Sequence, residues 1–156
     1  MSNCKFCVFN NPKGCVAGLI IKDGKVLMVK RNEEPYKGVW DFPGGYINYM
    51  ESPVQTIKRE VKEELGLGGE FTLVGSFPGT GEWAGETYAT LNFAYLIEPK
   101  GEIKLNGENS EYRWVPLMEI DSVAWDSNED ILEWAKNNLN FDLPRIRSLQ
   151  TVGTSE

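Results

Sequence analysis

Residues 45–67 read GYINYMESPVQTIKREVKEELGL, and this stretch predicts one helix with a signal at each end. Ser52 suits the N-cap and Pro53 the first helical position, while Gln55 completes a capping box with Ser52. Gly66 stands where a C-terminal cap is expected. We therefore expect a helix that begins at Pro53 and ends just before Gly66.

The predicted helix has one apolar side. Its apolar residues recur at spacings of three and four, which is typical of a helix that packs on a sheet. The residues of this stripe are Val54, Ile57, Val61 and Leu65. We expect the stripe to anchor the helix and to leave the other side free for ligands.

The other side of the helix is acidic. With 3.6 residues per turn, Glu60, Glu63 and Glu64 share one face. Clustered carboxylates repel one another unless a cation compensates, and oxygen ligands suit Mg²⁺ or Mn²⁺ better than zinc. The residues alone leave a second interpretation open, in which neighbouring lysines and Arg59 pair with the acids on a solvated helix face.

The order of residues in this stretch resembles the signature of the Nudix hydrolases, G-x5-E-x7-R-E-U-x-E-E-x-G-U, in which U is a bulky aliphatic residue. The flanking strands and helix resemble the family over roughly residues 12–140. The resemblance implies an α/β fold, the Nudix α/β/α sandwich with a central mixed sheet. All nine constrained positions are matched, by Gly45, Glu51, Arg59, Glu60, Val61, Glu63, Glu64, Gly66 and Leu67.

The resemblance implies a divalent metal site, with Mg²⁺ preferred and Mn²⁺ as an alternative. Glu60 is implied to orient the attacking water, and Arg59 to brace the loop against the helix together with Glu51. The chain contains no histidine, so a side chain that acts as general base is expected to be a carboxylate. The implied metal ligands are Gly45, Glu60, Glu63, Glu64 and Glu108, and the implied catalytic group is Glu60, Glu63, Glu108 and Arg59.

Glu108 lies outside the signature, in the place of a further glutamate that such families often use before an Arg-Trp strand. Asn106 and Gly107 predict a turn that puts Glu108 at a loop tip. Glu111 is the alternative for the same role, and either glutamate could instead be an ordinary surface charge.

Two aromatic residues are candidates for substrate binding. Trp83 and Tyr88 follow a Gly79-Thr80-Gly81 segment, interpreted as a loop, and both could stack on a nucleobase. Hydrophobic capping of the loop is the more common role of such aromatics. The sequence leaves ADP-ribose, NADH, other nucleoside diphosphate conjugates and nucleoside triphosphates open as substrates.

The cysteines give a weaker signal. Cys4 and Cys7 resemble half of the zinc ribbon found in Nudix proteins of the NADH pyrophosphatase type, and Cys15 is the one remaining thiol. A structural zinc site needs four ligands, so zinc at Cys4, Cys7 and Cys15 is the less favoured interpretation. Reduced thiols without metal are preferred, and a disulfide is least expected.

Composition bounds the domain organisation and the partners. The chain has 156 residues, 41% of them apolar, and a net charge of −7 from 16 basic and 23 acidic residues. These values predict one domain over residues 15–143, preceded by a short cysteine-containing segment, 1–14, and followed by a tail, 144–156. We expect no long nucleic acid as partner, no membrane association and a cytoplasmic location. The resemblance to the Nudix family adds a possible homodimer.

The resulting prediction is a Mg²⁺-dependent pyrophosphohydrolase that cleaves a diphosphate linkage in a nucleoside diphosphate derivative such as ADP-ribose or NADH. The alternative is a Nudix module that senses nucleotides without hydrolysis. All acidic positions of the signature are occupied, which favours the enzyme.

Overall fold

A computed structural model describes residues 10–141 of the protein. This part contains seven strands, two α-helices and a short 3-10 helix. In chain order they are β1 (Lys13–Lys22), β2 (Lys25–Arg31), β3 (Trp40–Asp41), β4 (Gly44–Tyr46), α1 (Pro53–Leu65), β5 (Gly68–Trp83), β6 (Glu86–Lys100), β7 (Asn109–Pro116), the 3-10 helix (Leu117–Glu119) and α2 (Asp126–Asn138).

The strands form one mixed sheet. Its order is β3-β2-β1-β6-β5, with β4 paired to β1 and β7 paired to β2. The β1–β6 pair is parallel, whereas β1 and β2 form an antiparallel hairpin. Asp23 and Gly24 make its turn with φ of 52° and 73°, which is typical of a tight two-residue hairpin turn. The prediction of a central mixed sheet is confirmed.

Each face of the central sheet is covered by one helix. Successive residues of a strand point to opposite faces, so Leu19 and Ile20 on β1 enter two different cores. Ile57 and Val61 of α1 fill one core, and Ile131 of α2 fills the other. The predicted α/β/α sandwich is therefore confirmed.

Helix α1 has the expected ends. The Ser52 hydroxyl accepts from the Gln55 amide, the Gln55 side chain accepts from the Ser52 amide, and Gly66 is left-handed. One part of the predicted stripe is wrong, because Val54 is 36% exposed while Ile57 is fully buried. Burial begins at Thr56, so the helix packs on the sheet through its later turns.

The hairpin β5–β6 differs most from the sequence-based prediction. Gly79, Thr80 and Gly81 lie inside β5 and pair with β6, so the predicted loop is wrong. The turn lies at Ala84 and Gly85, both with positive φ. Gly79 is needed for close approach, since a Cβ there would lie 2.7 Å from the Ser127 Cβ.

Helix α2 lies near the end of the described chain. It begins at Asp126 after Trp125, whose side chain makes no capping bond. Cys4 and Cys7 lie outside the described residues, and Cys15 is a free thiol in β1. Neither helix within residues 10–141 has the length and apolar character needed to cross a membrane.

Candidate active site

The acidic face of α1 lies against the Gly44–Gly45 strand rather than in open solvent. Glu60 and Glu64 are both largely buried. The Gly44 amide donates to Glu64 Oε2 at 3.0 Å, and Asn109 Nδ2 donates to Glu64 Oε1 at 3.1 Å. Helix α1, strand β4 and strand β7 therefore meet at the Glu64 carboxylate.

Burial disfavours the ionised form of these two carboxylates. The pKa of Glu64 is raised to about 8, mainly by burial and in addition by the charges of Glu60 and Glu108, while the hydrogen bonds from Asn109 and Gly44 oppose the rise. Burial likewise raises the pKa of Glu60, opposed by its bond to Arg59. A cation placed between the two carboxylates would favour their ionised forms.

Arg59 is the counter-ion that the chain itself supplies. Its Nε and Nη2 donate to the two oxygens of Glu51 at 2.7 and 2.9 Å, and its Nη1 donates to Glu60 at 2.7 Å and to Glu63 at 3.1 Å. The Arg59 hydrogen bonds hold the pKa of Glu51 at about 2. Arg59 Nη2 also donates to the Tyr46 carbonyl at 3.2 Å, so this side chain ties the strand β4 to the helix.

The residues at this face suit a hard divalent cation, although their side chains now point to other partners. In the described part of the chain, no three acidic or cysteine side chains converge on a point that could hold a metal ion. Glu60 and Glu63 bond Arg59, and Glu64 bonds Gly44 and Asn109. The donors are nonetheless all oxygens, and a Cβ on Gly45 would lie 2.5 Å from the Glu60 carboxyl carbon, so only glycine leaves this space open.

The two candidate glutamates outside the helix have different surroundings. Glu108 stands in the bend just before β7, and its charge acts on both Glu60 and Glu64. Glu111 lies within β7 and forms an ion pair with Lys30 at 3.1 Å. Glu108 is therefore the glutamate that the fold brings to the acidic face.

A cavity of about 250 Å³ opens beside this face, and we call it the inner cavity. Gly45 and Glu64 form part of its lining, so it is continuous with the acidic face. Its floor is polar and buried, which is unusual for the middle of a fold. The floor consists of Asp41, Asn92, Ser127 and Asn128.

Hydrogen bonds connect the floor residues in a chain. Asn128 Nδ2 donates to Asp41 Oδ1 at 2.7 Å, and Asn92 Nδ2 donates to Asn128 Oδ1 at 2.9 Å and to Ser127 Oγ at 3.1 Å. The amide oxygen of Asn92 is buried and has no hydrogen-bond partner among residues 10–141. This oxygen therefore lacks the hydrogen bond that a buried amide oxygen normally makes.

Asp41 should make stability depend on pH. Burial raises its pKa from 3.8 to about 6, so between these values the unfolded chain releases the proton first and the folded state loses stability as the pH rises. We expect the Asp41→Asn variant to gain stability relative to the wild type between pH 4 and 6, by up to about 3 kcal/mol, and to keep the gain at higher pH. Urea unfolding from pH 4 to 8 measures this difference.

The matched control for this prediction is Asp121→Asn, which removes an exposed carboxylate instead. Its stability should follow the wild type across the range. A constant difference between Asp41→Asn and the wild type from pH 4 to 8 would show that Asp41 ionises normally.

Comparison with known proteins assigns the family. A family model described as the NUDIX domain matches residues 12–135. The chain belongs to the Nudix family. The match contains the signature on α1, the acidic face and all four residues of the polar floor.

Known Nudix proteins resemble this one over different shares of its length. The ADP-ribose pyrophosphatase of Methanocaldococcus jannaschii is 26% identical over 134 residues, which cover 85% of this chain and 78% of that protein. The 8-oxo-dGTP diphosphatase of Buchnera aphidicola is 40% identical over 53 residues, or 33% of this chain and 41% of that protein. The crystal structure of a MutT NUDIX hydrolase from Burkholderia pseudomallei superposes with a TM-score of 0.69 at 25% identity, covering 79% of this chain and 97% of the other. The protein is a Nudix pyrophosphohydrolase.

The aromatic candidates of this Nudix protein lie at the mouth of the inner cavity. Trp83, which is 78% exposed, and Tyr88 both contribute to its lining. Trp125 is a further aromatic residue in the lining of the cavity. The Tyr36 ring packs edge-on against it with ring centres 4.8 Å apart, and the Arg31 guanidinium carbon lies 5.4 Å from the centre of the Trp125 ring. Sequence reasoning missed Trp125.

The polar floor was also missed, although one signal for it exists. Asn92 stands between Leu91 and Phe93 in β6, and an amide in such an apolar stretch needs partners. Asp41 and Asn128 gave no such signal, because each stands in a segment that reads as a polar loop or helix surface.

Proposed function

We propose that this Nudix hydrolase uses Mg²⁺, or Mn²⁺ in its place, to cleave the diphosphate linkage of a nucleoside diphosphate derivative such as ADP-ribose or NADH. The observation that carries the proposal is the pair of buried carboxylates, Glu60 and Glu64, set against Gly45 at the edge of the inner cavity. Such a pair favours a cation, and a cation beside a cavity favours a phosphate group of a bound ligand.

The metal would be held by Glu60, Glu64 and the Gly45 backbone, with Glu63 and Glu108 nearby. Nudix hydrolases in general use divalent metals. A bound Mg²⁺ supplies charge that neutralises the phosphate oxygens and lowers the pKa of a water molecule. Arg59 keeps Glu60 and Glu63 oriented through its hydrogen bonds, and we assign it to positioning.

The reaction is a substitution at phosphorus. A water oxygen forms a bond to one phosphorus, the bridging P–O bond breaks, and two monophosphate-bearing fragments leave. Since the chain has no histidine, a carboxylate is the side chain proposed to take the proton of the attacking water. We assign this role to Glu108, because it faces the acidic site without a bond to Arg59 or Lys30.

The inner cavity is proposed to bind the nucleoside. Asn92 belongs to its polar lining, and Trp83 and Tyr88 offer rings on which a nucleobase can stack. Asp41 fixes Asn128, which in turn fixes Asn92. The floor is therefore rigid before the ligand arrives.

A panel of diphosphate compounds tests the proposal. We expect the full chain to hydrolyse ADP-ribose or NADH with Mg²⁺, to release phosphorylated fragments, and to stop when EDTA is added. Anion-exchange chromatography, which separates the phosphorylated products from the substrate, measures the reaction. ATP and 8-oxo-dGTP serve as comparison substrates. Nucleotide binding without turnover in Mg²⁺ and in Mn²⁺ would favour the sensing module and contradict the hydrolase.

A further inference from the structure

A second recess shares part of its lining with the inner cavity, and we call it the outer groove. It encloses about 590 Å³ and is more open to solvent than the inner cavity. Three of its six lining residues, Tyr46, Trp83 and Tyr88, also line the inner cavity. The other three are Lys13, Gly14 and Ile47.

The wall between the two recesses is a pair of tyrosines. The hydroxyl groups of Tyr46 and Tyr88 are hydrogen-bonded to each other, and their ring centres are 6.5 Å apart. Tyr46 directly follows Gly45, and its carbonyl accepts from Arg59. The wall therefore stands beside the place where the diphosphate is proposed to lie, with one recess on each side.

The outer groove has its own recognition chemistry. The Lys13 ammonium lies 5.2 Å from the centre of the Tyr88 ring and has no ion pair with any described residue. Trp83 presents an exposed flat ring on the same groove. A flat ring beside a free ammonium suits a ligand that has a ring of its own with oxygen acceptors on it.

We infer that the outer groove binds the second ring-bearing group of a two-headed nucleoside diphosphate conjugate, while the inner cavity binds the nucleoside. The inference rests on the proposed function, because it assumes that the diphosphate lies at the acidic face. Its consequence is selectivity: a conjugate with a ring at each end fills both recesses, whereas a nucleoside triphosphate leaves the outer groove without a ring.

Lys13 provides the test, because it lines the outer groove and not the inner cavity. We expect Lys13→Ala to raise KM for ADP-ribose and NADH about fivefold, and Lys13→Glu to raise it about tenfold or more, with KM for ATP changed less than about twofold. Lys25→Ala and Lys25→Glu are the matched controls, since Lys25 is an exposed lysine on β2 outside both recesses. They make the same changes in net charge and should alter no KM.

Comparison of the substrates identifies the second ring. An effect on both conjugates indicates recognition of the sugar that they share, and an effect on NADH alone indicates recognition of the second base. Equal effects on ATP and the conjugates, or no effect on any of them, would overturn the inference while leaving the proposed hydrolysis intact.

Binding measurements separate the two proposals if no compound is cleaved. In that case the proposed hydrolysis fails, and calorimetric titration of ADP-ribose and AMP still examines the groove. Lys13→Ala should weaken ADP-ribose binding about fivefold and leave AMP binding unchanged. Unchanged binding of both ligands would overturn the inference.

Discussion

Replacement of Glu64 by glutamine is expected to lower kcat/KM for every cleaved nucleotide by about 1,000-fold while the protein stays folded. Glutamine keeps an oxygen that accepts from the Gly44 amide, and the Asn109 amide can turn over so that its oxygen accepts from the glutamine Nε2. The variant loses the negative charge that would hold a divalent cation. Removal of a buried charge does not cost stability, because burial already disfavours the ionised carboxylate. Steady-state kinetics with Mg²⁺ and thermal unfolding in EDTA measure the two effects.

Other glutamates provide the controls for this prediction. Glu111→Gln removes the same charge from a residue that pairs with Lys30 and should keep nearly full activity. Glu108→Gln should reduce kcat, since Glu108 is proposed to accept the proton of the attacking water. Full activity of Glu64→Gln would contradict the metal site on α1, and equal losses in Glu108→Gln and Glu111→Gln would contradict the role of Glu108.

Replacement of Gly44 by alanine is expected to destabilise the protein by about 4 kcal/mol or more. A Cβ at this position would lie 3.0 Å from the Val16 carbonyl carbon and closer still to its oxygen, and 3.1 Å from the Ala17 Cα. These are backbone atoms of the central strand β1, so neither can move without disturbing the pairing of β4 with β1. Urea denaturation of the purified variant measures the loss, and failure to fold agrees with it.

Gly45→Ala is the matched control, one residue further along the same strand. Its Cβ would meet only the end of the Glu60 side chain, which can rotate away. This variant should fold with near-normal stability and lose about 100-fold in kcat/KM, because Glu60 can no longer lie against β4. Equal stability losses in the two variants would show that the close approach of Val16 is not what requires glycine at position 44.

Local signals in the sequence were sufficient for α1. Ser52, Gln55 and Gly66 act on backbone groups within four residues of themselves, so the helix ends could be predicted without knowledge of the fold. The same holds for the turn at Asp23 and Gly24. These features depend on backbone geometry alone.

Long-range contacts could not be predicted from such local signals. The burial of Glu60 and Glu64 arises because β4 returns to β1 and lies over the helix, and no residue near them in sequence indicates this. The Asp41–Asn128 bond joins residues 87 positions apart. Gly79 and Gly81 predict a loop by their conformational freedom, yet they serve in β5 to admit Ser127 and the Tyr88 ring.

Arg59 also affects how far the stability of the fold depends on the proposed metal. Its guanidinium bonds Glu51, Glu60 and Glu63 at once, so it already supplies a positive charge at the acidic face when the chain folds. The acidic face therefore has a counter-charge that does not depend on a bound cation. The proposed metal would then control catalysis and leave the stability of the fold nearly unchanged.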